Sequence, residues 1–273
     1  MAIIDGYLLV DKPAGRTSAS LTRELGRVLS ARTGHLGTLD PAATGLLVVC
    51  VGGALKLVPY LQKGAKKYLA EISFGNATDT YDGDGAITRT GKVPDNLQER
   101  VRKGLKRFSG EIIQRPPAFS AVRVGGTRLH KLARQGADIT LPERNVTFYS
   151  ILIRSWRPDG VILEVSCSAG TYIRSLAHDL GEAIKVPAHL ASLRRLESHP
   201  FKIEEAVEAD ELLQDNAPIA SFVRPIEDFL PPLPRIELTA AEAVTVGHGV
   251  SLRGARVRAG ACLLMDGPDR LVA

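Results

Sequence analysis

Only three cysteines occur in the chain, Cys50, Cys167 and Cys262, and they are far apart. Neither a disulfide framework nor a zinc site fits them. The apolar contexts LLVVCVG and LEVSCSAG predict buried thiols in a reducing compartment. No apolar run approaches the roughly 20 residues needed to cross a bilayer. The opening MAIIDGYLLVDKP carries an early acid and no basic segment, so it reads as a strand and not as a secretion signal. Cytoplasm is the expected location. Aromatic residues make up 5%, so the core must rest on Leu, Val, Ile and Ala. The six histidines are dispersed, with no pair at helical metal-ligand spacing, and no metal is expected. VGGALK and VGGTRLHK lack the full phosphate-loop spacing.

What the chain does have is length and a patterned charge. At 273 residues with 44% hydrophobic side chains, it predicts one large domain and a smaller one. The net charge is +5 and the isoelectric point about 9.2. Between Arg100 and Arg134 there are ten Lys or Arg against the single acid Glu111, whereas Glu204 to Asp215 holds six acids and no base. A basic block offset by an acidic one suits a nucleic-acid-binding surface. A solvated helix face explains it equally well.

Periodicity places the elements. YLLV reads as a strand ended by DKPAG. TSASLTRELGRVLS reads as a helix, capped by Ser18 or Ser20, with Leu21, Leu25, Val28 and Leu29 apolar. GLLVVCVG is a buried strand, ALKLVPYLQ a short helix, and KKYLAEISFG an alternating strand. NLQERVRKGLKRFSGEI predicts a helix with basic side chains on its outer face. RPPAFSAVRVGGTRLHKLARQG starts extended, turns at Gly125 and Gly126, and enters a basic helix. FYSILIRSWRPDGVILEVSCSAG reads as two antiparallel strands, and YIRSLAHDLGEAIK as a helix. FLPPLPRIEL is a proline-rich hinge before a small β unit. Without a regular βαβ rhythm, the expected fold is α+β, with a mixed, largely antiparallel central sheet flanked by helices.

Read locally, the candidate site residues each have a structural explanation. Asp79, Asp82 and Asp84 in DTYDGDG lack the interval and the closing acid of a calcium loop, so a polar turn is expected. Asp40 in GHLGTLDPAATG, followed by Pro41, is a good helix N-cap. Tyr68 is expected half-buried at a sheet edge. Arg174 lies in the first turn of an otherwise apolar helix, and a buried guanidinium requires a carboxylate partner.

GYLLVDKPAGRTS, RTGHLGTLDPAATGLLVV, KKYLAEISFGNATDTYDGDG, GTYIRSLAHDLG and LASLRRL, in that order, resemble the bacterial TruB family of tRNA pseudouridine-55 synthases. The resemblance covers roughly residues 6 to 200, and RPPAFSAVRVGGTRLHKLARQG is similar to that family's RNA-gripping insertion. It implies isomerisation of uridine 55 in the tRNA T loop, with the base flipped into a pocket and no organic cofactor. Asp40 matches the essential aspartate, Tyr68 the tyrosine that stacks on the base and takes part in proton removal, and Arg174 the arginine paired with the carboxylate. Leu193 falls at the apolar position beneath the base, and His35 at the histidine that meets the T loop. Lys12 and Tyr172 match supporting positions. An adjacent guanidinium is expected to keep Asp40 ionised by lowering its pKa. The carboxylate can attack the uracil ring, attack the ribose or remove a sugar proton.

With that resemblance, Arg123, Arg128, Lys131 and Arg134 become the RNA-backbone contacts of an insertion spanning about 115–145. The T-arm stem-loop of tRNA becomes the partner of a monomer. The domains are expected at 1–230 and 231–273, the second a short, PUA-like RNA-binding β unit. Two other readings use the same features: a tRNA-folding chaperone working through the same groove, and a related synthase in a guide-RNA complex. The absence of long basic tails and the presence of the insertion favour the stand-alone enzyme.

Overall fold

A computed structural model describes residues 5–120, 141–226, 230, 233–252, 262–267 and 272, and the backbone alone of 123–124 and 127–128. In chain order the N-terminal half holds β1 (Gly6–Lys12), α1 (Ser18–Val28), β2 (Thr33–His35), β3 (Thr44–Val51) and α2 (Val58–Leu61). β4 (Lys66–Phe74), β5 (Asn76–Thr78), β6 (Ile87–Thr90), α3 (Leu97–Leu105) and β7 (Gly110–Gln114) follow. Next come β8 (Arg123–Val124), β9 (Thr127–Arg128), β10 (Arg144–Arg157), β11 (Gly160–Cys167), α4 (Ile173–Ile184) and β12 (Ala188–Ser198). The chain continues with β13 (Phe201–Lys202), β14 (Val207–Glu208), α5 (Ala209–Leu212), β15 (Arg235–Glu237), α6 (Ala240–Gly247) and β16 (Leu263–Met265).

Why β1 and β3 are continuously apolar is plain from their burial. They pair antiparallel from Gly6↔Val51 to Lys12↔Gly45, and alternate side chains enter two separate cores. Leu8, Val10, Leu47 and Val49 meet Leu21, Leu25 and Leu29 on one face. Tyr7, Leu9, Leu46 and Val48 meet Phe201, Ile226, Leu263 and Met265 on the other. The segment around β16 therefore seals the back of β1 and β3. Val28 does not join α1's buried stripe and is 48% exposed. The cap of α1 is Thr17, whose hydroxyl accepts from the Ser20 backbone N–H at 3.0 Å. Ser18 is turned inward instead, donating to Leu39 O at 2.9 Å and accepting from Leu39 N at 2.8 Å.

One ten-stranded sheet runs β14-β1-β3-β12-β4-β11-β10-β7, with β2 added to β3 and β13 to β12. All its pairs are antiparallel except β1–β14 and β3–β12. This is the α+β architecture expected. Tyr68 departs from expectation: β4 lies inside the sheet, between β12 and β11, so the tyrosine is buried and not at an edge. The β3–β12 junction is short, Arg194↔Thr44 and Arg195↔Gly45. Gly45 permits it: its φ is +98°, and a Cβ there would lie 2.3 Å from Arg195 O.

Leu176, Ala177 and Leu180 of α4 and Val101 of α3 cover the face of β4 that carries Ala70, Ile72 and Phe74. The other end of that face, with Lys66 and Tyr68, opens onto a cavity. Among the described residues no helix is long and apolar enough to cross a membrane.

Candidate active site

Asp40 sits between β2 and β3 on a turn held from several sides. It caps no helix, contrary to the local reading: Ala43 N donates to Asp40 O at 3.1 Å and the chain passes directly into β3. Ser18 grips Leu39 from α1. Behind the turn, Lys12 is fully buried, its Nζ donating to Pro13 O at 2.7 Å and Pro41 O at 3.1 Å. The carboxyl side chain remains 41% exposed, through the mouth of the cavity.

Arg174 supplies the other half of the centre. Its side chain is only 7% exposed. Nη2 donates to Asp40 Oδ1 at 3.3 Å, and Nε lies 3.0 Å from Oδ2, a charge contact out of line for a hydrogen bond. Nη1 lies 3.3 Å from Asp82 Oδ2 and donates to Thr80 O at 3.1 Å, while Nη2 also donates to Phe119 O at 3.1 Å. One guanidinium thus bridges two carboxylates. Asp82 escaped sequence reasoning because DTYDGDG read as a polar turn, which it is. Its carboxylate is fixed by Thr80 Oγ1 at 2.5 Å, and Tyr81, in the left-handed region at φ 65°, stacks on His178 of α4 at 3.9 Å.

The cavity has a volume of about 560 Å³, within the ~300–1,000 Å³ usual for small-ligand sites. Asp40, Tyr68, Tyr172, Arg174 and Leu193 all line it. Lys66, Arg144 and Arg195 join them, and none of the three was singled out from sequence. Tyr172 is held through its backbone, its N–H given to Gln114 Oε1 at 2.8 Å and its carbonyl taking Nε2 at 3.0 Å. His35 is not among the lining residues; it lies on β2, in a separate groove with Arg23, Arg27 and Arg32. The backbones of Arg123 and Arg128 pair antiparallel between β8 and β9. Their side chains, and Lys131 and Arg134 altogether, lie outside the described residues. At the foot of this segment Arg115 pairs with Glu143 at 2.7 Å.

Electrostatics correct one expectation. Loss of water around the Asp40 carboxyl raises its pKa above the ordinary carboxylate value; Arg174 and Lys12 pull it down but do not win, and Asp82 and Asp84 push it further up. Burial drives Lys12 down to about 8, against the pull of Asp40. Lys66, whose Nζ donates to Ser198 Oγ at 2.8 Å, is also lowered to about 8, by burial first and by Arg195. The Tyr68 phenol is raised by burial, with Arg195 opposing. Among the described residues no group of three or more His, Cys, Asp or Glu could hold a metal ion.

The family model for the N-terminal domain of TruB family pseudouridylate synthases matches residues 26–173, and that for the tRNA pseudouridylate synthase B C-terminal domain matches 174–231. The chain belongs to the TruB family. The tRNA pseudouridine synthase B of Xanthomonas oryzae pv. oryzae is 41% identical over 270 residues, 97% of this chain and 87% of its own. That of Ruegeria pomeroyi is 38% identical over 250 residues, 90% and 82% of the two. Among solved structures, a chain of a Cbf5–Nop10–Gar1 complex superposes with a TM-score of 0.70 at 29% identity, covering 98% of this TruB chain and 77% of the other. A chain of an H/ACA ribonucleoprotein bound to a substrate RNA gives 0.68 at 27%, covering 98% and 77%.

Proposed function

We propose that the chain isomerises uridine 55 in the T loop of tRNA to pseudouridine, with Asp40 as the essential carboxylate. The observation that carries this is the Asp40–Arg174–Asp82 bridge on a cavity walled by Tyr68 and Leu193. In the reaction the ribose C1′–N1 bond breaks, the uracil rotates, and C1′ bonds to C5. The C5 proton leaves to solvent and N1 gains one, so no oxidant or energy source is consumed. A target base inside a folded T loop must be flipped out, and an aromatic ring beside an apolar side chain replaces its lost stacking. Tyr68 and Leu193 have those properties. Asp40 acts in its ionised form, and Arg174 holds it toward the reacting base or sugar.

The protein acts as a cytoplasmic monomer, with the insertion at 115–145 and a small unit at 231–273 gripping the T arm. Relatives 38–41% identical that bear the name tRNA pseudouridine synthase B favour this stand-alone reading over a multi-protein assembly such as the Cbf5–Nop10–Gar1 complex, matched at 29% identity. Incubation with an unmodified tRNA transcript followed by chemical mapping of pseudouridine tests it. Product confined to position 55 supports the reading, and its absence there sinks it.

The pH profile follows from the carboxyl's environment. Because desolvation raises the Asp40 pKa, activity rises with pH through a limb above that of an ordinary carboxylate. Lys12 lowers that pKa, so Lys12→Met moves the limb to higher pH. A limb that stays put, or moves down, in a pH–rate series on a tRNA T-arm hairpin substrate contradicts the assignment.

A further inference from the structure

Arg195 heads the fully buried side chains by size, at 1% exposure. A buried guanidinium ordinarily takes a carboxylate partner, yet among the described residues no acid lies within ion-pair distance of it. Its donors go to backbone instead. Nε donates to Leu46 O at 2.7 Å, Nη2 to Gly37 O at 3.2 Å and Nη1 to Thr38 O at 3.5 Å. Those three carbonyls bracket Asp40: two precede it and one follows. Arg195 also stands directly opposite Tyr68 across the β12–β4 ladder, and both side chains line the cavity.

We propose that Arg195 is a positioning residue of the isomerisation, tying the turn that carries Asp40 to the β12–β4 strand pair that carries Tyr68, so that the two groups keep one relative position in the cavity. The inference rests on Asp40 and Tyr68 acting on the same base. Several features match it. Arg195 is held in register by the close approach of β12 to Gly45. A satisfied but uncompensated charge is a costly choice for a purely structural contact, since an apolar side chain of similar volume fills such a space at lower desolvation cost. Its positive field also adds to the lowering of the Lys12, His35 and Lys66 pKa values by burial and opposes the rise that burial causes at Tyr68.

The test is a double-mutant cycle of Arg195→Lys and Tyr68→Phe, read as single-turnover pseudouridine formation on a T-arm hairpin, with hairpin Kd and Tm measured alongside. Lysine keeps the charge but cannot reach the carbonyls on both sides of the Asp40 turn together. Arg195→Lys is expected to slow the rate about 100-fold with Kd changed less than about threefold. Coupling must appear in the cycle: the double variant loses at least about tenfold less than the product of the single losses. Losses that multiply, or a loss confined to Kd, overturn the proposal. A Tyr68→Phe variant at wild-type rate by itself refutes the role given to that phenol, and with it the coupling. Should lysine unfold the chain, Arg195→Gln, which keeps an N–H donor and most of the volume, is read by the same criterion.

Discussion

Asp40→Asn is expected to lower single-turnover pseudouridine formation on the order of 10⁴-fold or more, the scale seen when a catalytic group is removed, while hairpin affinity stays within a few fold. The amide is nearly isosteric and still fits the turn held by Ser18 and Lys12. It cannot serve as nucleophile or base. It also leaves Arg174 with one carboxylate where it had two. Because 41% of the Asp40 side chain faces the open cavity, the change leaves the fold largely undisturbed. Measured by rapid quench with nucleoside analysis, a variant within tenfold of wild type removes Asp40 from the chemistry.

Arg174→Leu is expected to damage rate and stability together. The guanidinium holds Asp40, Asp82, Thr80 O and Phe119 O at once. Removing it leaves two carboxylates on one small site and two backbone carbonyls without their donor. Breaking a buried ion pair costs ~3–5 kcal/mol; solvent access to Asp40 tempers this, so about 2–4 kcal/mol is expected. Thermal unfolding then falls on the order of 5–10 °C. The Asp40 pKa rises further without its strongest opposing charge, and the carboxylate loses the group that holds it in place, so the rate at neutral pH drops by at least about 10²-fold. Arg174→Lys recovers part of the stability and little of the rate, because a point charge cannot bridge both carboxylates with fork geometry. An Arg174→Leu protein that melts with wild-type and turns over normally contradicts the site as described.

Legibility from sequence was uneven for physical reasons. Strands buried on one face or two, such as β4 and β3, announce themselves by alternation or by a continuous apolar run, and α4 by its spacing. Arg174's need for an acid follows from burial inside an apolar helix turn, and the structure gives it Asp40. The second acid, Asp82, lies 92 residues before Arg174 in a segment whose glycines and aspartates signal only a turn. Tyr68 looked like an edge residue because strand order is invisible in one strand's pattern. Asp40's cap character came from a correct local propensity that the tertiary fold overrode: Pro41 opens a turn into β3 and not a helix. Arg195 follows Arg194 in LRRL, yet only the β12–β4 register and the backbone carbonyls around it distinguish the buried arginine from its neighbour, which pairs with Asp11 at the surface.

The central claim is that this cavity moves a uracil from its N1 to its C5 attachment. Release of tritium from a T-arm hairpin labelled at C5 of uridine 55, with enzyme in excess, tests it most directly. One equivalent of tritium per hairpin is the predicted result, because C5 must lose its hydrogen when it bonds to C1′. No release from the labelled hairpin, or equal release when the label sits in another uridine of the same loop, would contradict the account.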